Sequence, residues 1–215
     1  MSSKPLVTVV LPAYNEEAIL EKNVGVLLEY FDSLSDRYRW EVLIINDGSA
    51  DKTGEIADRI AAQHDIVEAV HHPVNFGLGQ AFKTAFRKCR GDYVVTLDVD
   101  LSYAPDHVER LLDKIQATPA KLVLASPYMK GGTIKNVPTL RRILSVYANR
   151  FLSFFAQGHL STLTCMVRAY DGQFVRQLDL RSTGMDIMPE TVYKAMILRA
   201  KIIQIPANLD WGLQQ

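Results

Sequence analysis

Residues 6–11, Leu-Val-Thr-Val-Val-Leu, form a near-continuous apolar and largely β-branched run closed by Pro12, the pattern of a strand buried on both faces. Asn15 follows as a predicted N-cap, with Glu16 and Glu17 in the first turn of a helix whose apolar positions are Ile19, Leu20, Val24, Leu27, Leu28 and Phe31. The alternation then repeats. A strand over 40–45 precedes a helix around 56–62. A strand over 67–71 precedes a glycine-containing turn and a helix around 81–89, and a strand over 93–97 precedes a helix around 107–115. Residues 121–125 make a fifth strand. Such β/α alternation predicts an α/β fold, a mostly parallel sheet flanked by helices.

After Ser126 the rhythm changes. A loop with Gly131, Gly132 and Pro138 leads to a predicted helix over 140–156, short β-prone segments over 162–170, a helix around 189–198 and a strand over 201–205. No internal repeat divides the chain. The expectation is one domain over 1–215, with residues 1–125 forming a nucleotide-binding half and 126–215 an acceptor-binding half.

Composition narrows the partners. The 215 residues hold 24 Lys plus Arg against 24 Asp plus Glu, so no global basic field exists and nucleic acid is not an expected partner. Cys89 and Cys165 lie far apart in apolar surroundings, without CxxC or His partners at zinc spacing, and read as reduced core residues. The N-terminus has no apolar stretch of signal-peptide type, and no apolar run approaches the roughly 20 residues that span a bilayer. The expectation is a cytoplasmic protein, soluble or peripheral at the cytoplasmic membrane face.

The run over 93–97 ends on Asp98-Val99-Asp100. Alternation along an extended backbone turns both carboxylates the same way at the strand's carboxyl end, where open α/β sheets bind ligands. Paired oxygens there suit a hydrated Mg²⁺ or Mn²⁺ that also grips a phosphorylated substrate. The competing reading makes one Asp a cap for the helix near Pro105 and the other a solvated loop acid. Two further polar clusters close strands: Pro12-Ala13-Tyr14-Asn15-Glu16-Glu17, and Asn46-Asp47-Gly48-Ser49-Ala50-Asp51. Pro12 and Tyr14 offer a flat apolar surface to a nucleobase, and Glu16 and Asp47 accept from base N–H and ribose hydroxyls. Alternatively, Asn15 and Asp47 are turn and capping residues with Tyr14 as packing.

Together with Asn75-Phe76-Gly77-Leu78-Gly79, these clusters resemble, in order and spacing, glycosyltransferase family 2, and within it the dolichol-phosphate mannosyltransferase-like, polyprenyl-phosphate branch. The resemblance covers essentially the whole chain. It implies a GT-A fold, a nucleotide-diphosphate sugar donor (UDP- or GDP-sugar), a divalent metal and inversion at the anomeric carbon. Carried over by position, it assigns Pro12, Ala13, Tyr14, Glu16 and Asp47 to the nucleotide and Asp98 and Asp100 to the metal. The Gly77-Leu78-Gly79 turn is not a dinucleotide fingerprint, because it follows the third strand and Phe82 occupies the position of the last small residue.

For the acceptor, the resemblance points to the segment from Ser126 through Lys130 to Arg141, Arg142 and Ser145. Arg141 and Ser145 stand four apart, on one face of a helix, and can grip one phosphate. Apolar Val146, Phe151, Leu152, Phe154 and Phe155 beside Arg141, Arg142 and Arg150 fit a helix against a membrane surface; an ordinary core-facing amphipathic helix fits equally. Asn46 stands where many relatives have an acid. More consequentially, Pro127 replaces an expected Arg, leaving Lys130 as its substitute, and Thr162 to Arg168 lacks the acid and glycine of the matching family stretch. The chain ends where relatives often continue into a basic loop and membrane helices, which leaves room for a membrane-spanning partner subunit. The expected reaction is sugar transfer to a polyprenyl (dolichyl or undecaprenyl) phosphate. A hydroxyl acceptor on a saccharide or small molecule is the first alternative; it needs a base, for which Asp186 and Glu190 are the candidates, each otherwise an acid at a helix N-terminus. The second is a non-catalytic nucleotide-sugar-binding subunit.

Overall fold

The computed structural model describes residues 4–137 and 160–214. Strands β1 (Leu6–Ala13), β2 (Arg39–Asn46), β3 (Val67–His71), β4 (Tyr93–Thr96) and β5 (Leu122–Ser126) alternate with helices α1 (Leu20–Ser33), α2 (Thr53–Gln63), α3 (Leu78–Lys88) and α4 (Asp106–Gln116). Strand β6 (Thr133–Lys135) follows. Beyond residue 160 come β7 (Arg168–Asp171), α5 (Gly172–Arg176), α6 (Ile187–Ile197), β8 (Ile202–Pro206), β9 (Asn208–Asp210) and a 3₁₀ turn (Trp211–Gln214). The helix predicted over 140–156, with Arg141 and Ser145, lies outside the described residues.

The main sheet has seven strands in the order β3-β2-β1-β4-β7-β5-β8. All neighbours are parallel except β7, which runs antiparallel between β4 and β5. The second half of the chain thus supplies a central strand to the first, and the two share one sheet. A small parallel pair, β6-β9, forms a separate lip. Of the β-prone residues over 162–170 expected to extend, only the last three, with Asp171, are strand.

Alternation along the strands sorts the core into two layers. Val7, Val9 and Leu11 of β1 face α1, α2 and α4 through Leu27, Phe31, Ile60 and Leu111. Val10, with Leu43 and Ile45 of β2, faces α3 and α6 through Phe82, Phe86, Ile187 and Val192. These side chains are almost wholly withdrawn from water, each burial contributing about 1.5–3 kcal/mol. Cys89 and Cys165 are both buried and unpaired. Among the described residues no helix is long and apolar enough to cross a membrane.

Candidate active site

Parallel register places Ala13 beside Asn46, so the loops leaving β1 and β2 emerge together. They brace each other: the Asn15 side chain accepts from the Ala50 N–H at 2.9 Å, the Glu16 N–H donates to Thr53 Oγ1 at 2.7 Å, and Glu17 Oε2 accepts from the Lys52 N–H at 2.9 Å. Asn15 is therefore not the N-cap its position predicts. Its φ of 55° lies in the left-handed region that Asn tolerates, and α1 begins at Leu20 without a side-chain cap.

The two acids beyond β4 depart from the sequence picture in geometry. The strand stops at Thr96, so Asp98 and Asp100 belong to a turn in which Asp100 Oδ1 accepts from the Ser102 N–H at 2.8 Å and Leu101 has a φ of 53°. No side chain caps α4, which excludes the capping alternative. Burial first, then the carboxyls of Asp100 and Glu16, push the Asp98 carboxyl up to about 7. Glu16 is raised in turn by burial, Asp100 and Asp51. The Asp100 carboxyl thus raises both Asp98 and Glu16, which places the three acids within electrostatic reach of one another. Among the described residues no group of three or more His, Cys, Asp or Glu builds a complete metal cage. Asp98 and Asp100 fit a Mg²⁺ or Mn²⁺ ion that draws its remaining oxygens from a diphosphate and water.

Pro12, Ala13, Tyr14, Glu16, Asp47, Asp98 and Asp100 all line one cavity of about 400 Å³. Asn75 and Gly77 line it from the loop before α3, Leu78 and Ala81 from the first turn of that helix, and Met166 and Met185 from the second half of the chain. Asp47 is largely occupied within the protein: Oδ1 accepts from His72 Nδ1 at 2.7 Å and the Phe76 N–H at 3.0 Å, and Oδ2 from the Gly77 N–H at 2.8 Å.

A second cavity, of about 360 Å³, shares Asp98, Met166 and Met185 with the first. Its remaining wall includes Tyr103, Tyr128, Thr162, Thr164, Cys165 and Trp211. Burial pushes the Cys165 thiol up to about 11, so it is a protonated wall group. Behind it Arg168, fully buried, donates to the carbonyls of Leu163 and Cys165 at 2.6 Å, to that of Met188 at 2.8 Å and to Thr191 Oγ1 at 2.6 Å. That guanidinium clamps the cavity wall to α6, a role invisible in the sequence because three of its four acceptors are backbone carbonyls.

Other expected acceptor-side residues lie elsewhere. Lys130 is exposed and outside the lining of this cavity. Asp186 is exposed beside Met185 and accepts from the Gly184 N–H at 3.2 Å. Glu190 accepts from the N–H groups of Arg181 and Ser182, each at 2.8 Å, and pairs with Lys194 at 2.7 Å. Its partially desolvated carboxyl is held down to about 2 by the Lys194, Ser182 and Arg181 hydrogen bonds. With its oxygens engaged in this way, Glu190 holds the loop at Arg181 and Ser182 against the start of α6.

Residues 8–180 match the sequence profile of glycosyl transferase family 2. The polyprenol monophosphomannose synthase of Mycolicibacterium smegmatis is 32% identical over 205 residues, covering 92% of this chain and 75% of that protein. The undecaprenyl-phosphate mannosyltransferase of Micrococcus luteus is 31% identical over 206 residues, covering 93% of this chain and 82% of that one. Among solved structures, glucosyl-3-phosphoglycerate synthase from Mycobacterium tuberculosis, in complex with Mn²⁺, UDP and phosphoglyceric acid, superposes with a TM-score of 0.71 at 22% identity. The match covers 96% of this chain and 69% of that one, and at this identity the likeness is one of fold.

Proposed function

The chain belongs to glycosyl transferase family 2 and is a glycosyltransferase, and we propose that it transfers a sugar, with inversion, from a nucleotide-diphosphate donor to a polyprenyl phosphate at the cytoplasmic membrane face. The observation that carries this reading is the meeting of two cavities at Asp98. One holds the donor between Tyr14, Asp47 and the acid turn; the other admits the acceptor past Met166 and Met185. Similarity to proteins named as polyprenol-phosphate and undecaprenyl-phosphate mannosyl enzymes supports the lipid phosphate.

Pro12 and Tyr14 give the nucleobase an apolar surface, and Asp47 and Glu16 orient base and ribose through accepted hydrogen bonds. Asp98 and Asp100 hold Mg²⁺ or Mn²⁺, which would neutralise charge developing on the leaving diphosphate. Lys130, Arg141 and Ser145 remain the candidates for gripping an acceptor phosphate. Attack comes from the face of the sugar opposite the diphosphate. A phosphate monoester, with a second pKa of about 6, is already largely dianionic at neutral pH and needs no protein base.

A hydroxyl acceptor is the second reading, because among the described residues the second cavity is lined by hydroxyls and aromatic rings and by no lysine or arginine. Asp186 would then be the base. Purified protein incubated with Mn²⁺, UDP- and GDP-sugars, and either a short-chain polyprenyl phosphate or free saccharides distinguishes them. Transfer to the lipid phosphate, undiminished in Asp186→Asn, is expected; transfer confined to hydroxyl acceptors and lost in that variant would establish the second reading. Nucleotide-sugar binding without turnover on any acceptor would leave only a binding subunit.

A further inference from the structure

Two consecutive histidines at the end of β3 engage two consecutive residues at the end of β2. His71 Nδ1 lies 3.0 Å from Asn46 Nδ2, and His72 Nδ1 lies 2.7 Å from Asp47 Oδ1. The pairs differ in surroundings. The His71 side chain is 36% exposed and turns its other nitrogen to Asp58 at 3.0 Å, whereas the His72 and Asp47 side chains are 8% and 6% exposed. Of Asn46 and Asp47, only Asp47 lines the donor cavity.

In the His72 pair the Asp47 oxygen is the acceptor, so Nδ1 carries the hydrogen. Nε2 meets the Thr84 hydroxyl of α3 at 2.9 Å, and the ring stands edge-on to Phe76 with centroids 5.4 Å apart. Three elements are thereby fixed to one carboxyl: β3 through His72, α3 through Thr84, and the loop before α3 through the N–H groups of Phe76 and Gly77. Counting lone pairs, Oδ1 is filled by two donors and Oδ2 by one, which leaves a single Oδ2 site for a ligand. The direction of that site depends on the carboxyl not rotating.

We propose that His72 is a positioning residue for the nucleotide. Through Nδ1 it locks the Asp47 carboxyl, and with it the backbone of Phe76 and Gly77, in the orientation that the nucleotide end of the donor cavity requires. The inference rests on the donor reading of that cavity. Its effect falls on donor affinity and not on the chemical step, because His72 acts on a group that binds and is not itself in the cavity lining.

The test separates the two ring nitrogens. In His72→Asn the amide N–H falls near the former Nδ1 and keeps the donation to Asp47; in His72→Gln it falls near Nε2 and keeps only the link to Thr84; His72→Phe keeps the ring and neither bond. Dissociation constants for UDP and GDP with Mn²⁺ are measured by calorimetry on the full chain, below each variant's melting temperature. Expected is weakening of about 10-fold or more for Gln and Phe, the loss typical of a hydrogen bond to a carboxylate, with Asn within about 3-fold of the parent. The donor KM should follow, with kcat at saturating donor nearly unchanged, and His71→Asn should bind as the parent does.

Unaltered affinity in Gln and Phe would overturn the inference, as would equal weakening in all four variants, the result of a merely structural role. Failure of the parent chain to bind any nucleotide would instead refute the donor reading, and the inference with it. If the His72 variants do not fold, Thr84→Val, which removes only the ring's second anchor, should weaken binding about 3-fold, and unchanged affinity there counts against the proposal.

Discussion

Asp98 is half-buried and faces the carboxyls of Asp100 and Glu16, which together with burial hold its own carboxyl at about 7. A carboxyl raised in the folded state favours folding only while protonated: its contribution is fully present below the ordinary 3.8 and is lost as pH rises through about 7. Asp98→Asn removes that burden along with the proposed metal ligand. Metal-free Asp98→Asn should therefore melt a few degrees above the parent at pH 8, with the gap narrowing at pH 5 and closing only below the ordinary 3.8, while Mn²⁺ stabilises the parent and not the variant. Calorimetry with and without Mn²⁺ checks both, and a variant less stable than the parent at pH 8 would show that Asp98 serves the fold. That these seven positions share one cavity was legible because a strand's carboxyl end is a local sequence feature and clusters after three strands converge on one edge. The bonds of Asn15 and Glu190 were not legible, because acids and amides near helix starts look alike in sequence, whatever they bond. Only the fold reveals that one braces the opposite loop and the other holds residues 181–182.

That loop ties α6 to α3. Glu190 anchors its N–H groups, and the Thr183 carbonyl accepts from the Gly79 N–H at 2.7 Å, in the first turn of α3 beside the first cavity. A Cβ on Gly79 would stand 2.6 Å from the Ser182 oxygen and the Thr183 carbonyl carbon. Alanine usually strengthens a helix by about 1 kcal/mol over glycine. Here the backbone collision reverses the sign, so Gly79→Ala should lower the urea midpoint and raise the donor KM together. For Glu190 the folded pKa is depressed, so its contribution is present above the unfolded value near 4.5 and is lost as pH falls through about 2. Glu190→Gln should cost about 1–3 kcal/mol at pH 7, the difference fading toward pH 2. Urea titrations across that range measure it, and full transferase activity remaining in the folded variant is expected of a structural acid. Periodicity located these elements to within a few residues, whereas Gly77 at a φ of 90° and Gly79 read only as a tight turn, because the partner loop lies more than 100 residues away in sequence.

At the scale of the molecule, the antiparallel insertion of β7 carries the stretch before it across to the acid turn. Met166 thereby lines both cavities, as does Met185 from the loop before α6, a shared wall that no local pattern announces. The alternation of strands and helices forecast a mostly parallel sheet, yet where β7 pairs is decided by closure of the core over residues far apart. The arrangement makes the two substrates separable. Thr164 lines the second cavity and not the first. Thr164→Phe adds a ring to a space of about 360 Å³ without touching Tyr14, Asp47 or Asp100. Nucleotide affinity with Mn²⁺ should stay within about 3-fold of the parent, whereas transfer should fall by about 100-fold, since displacement of an acceptor by an ångström or so already forfeits that much. Calorimetric binding beside a transfer assay reads both terms. Parallel loss of binding and transfer would mean that the two cavities act as one compartment, and unimpaired transfer would place the acceptor elsewhere than in the space beyond Asp98.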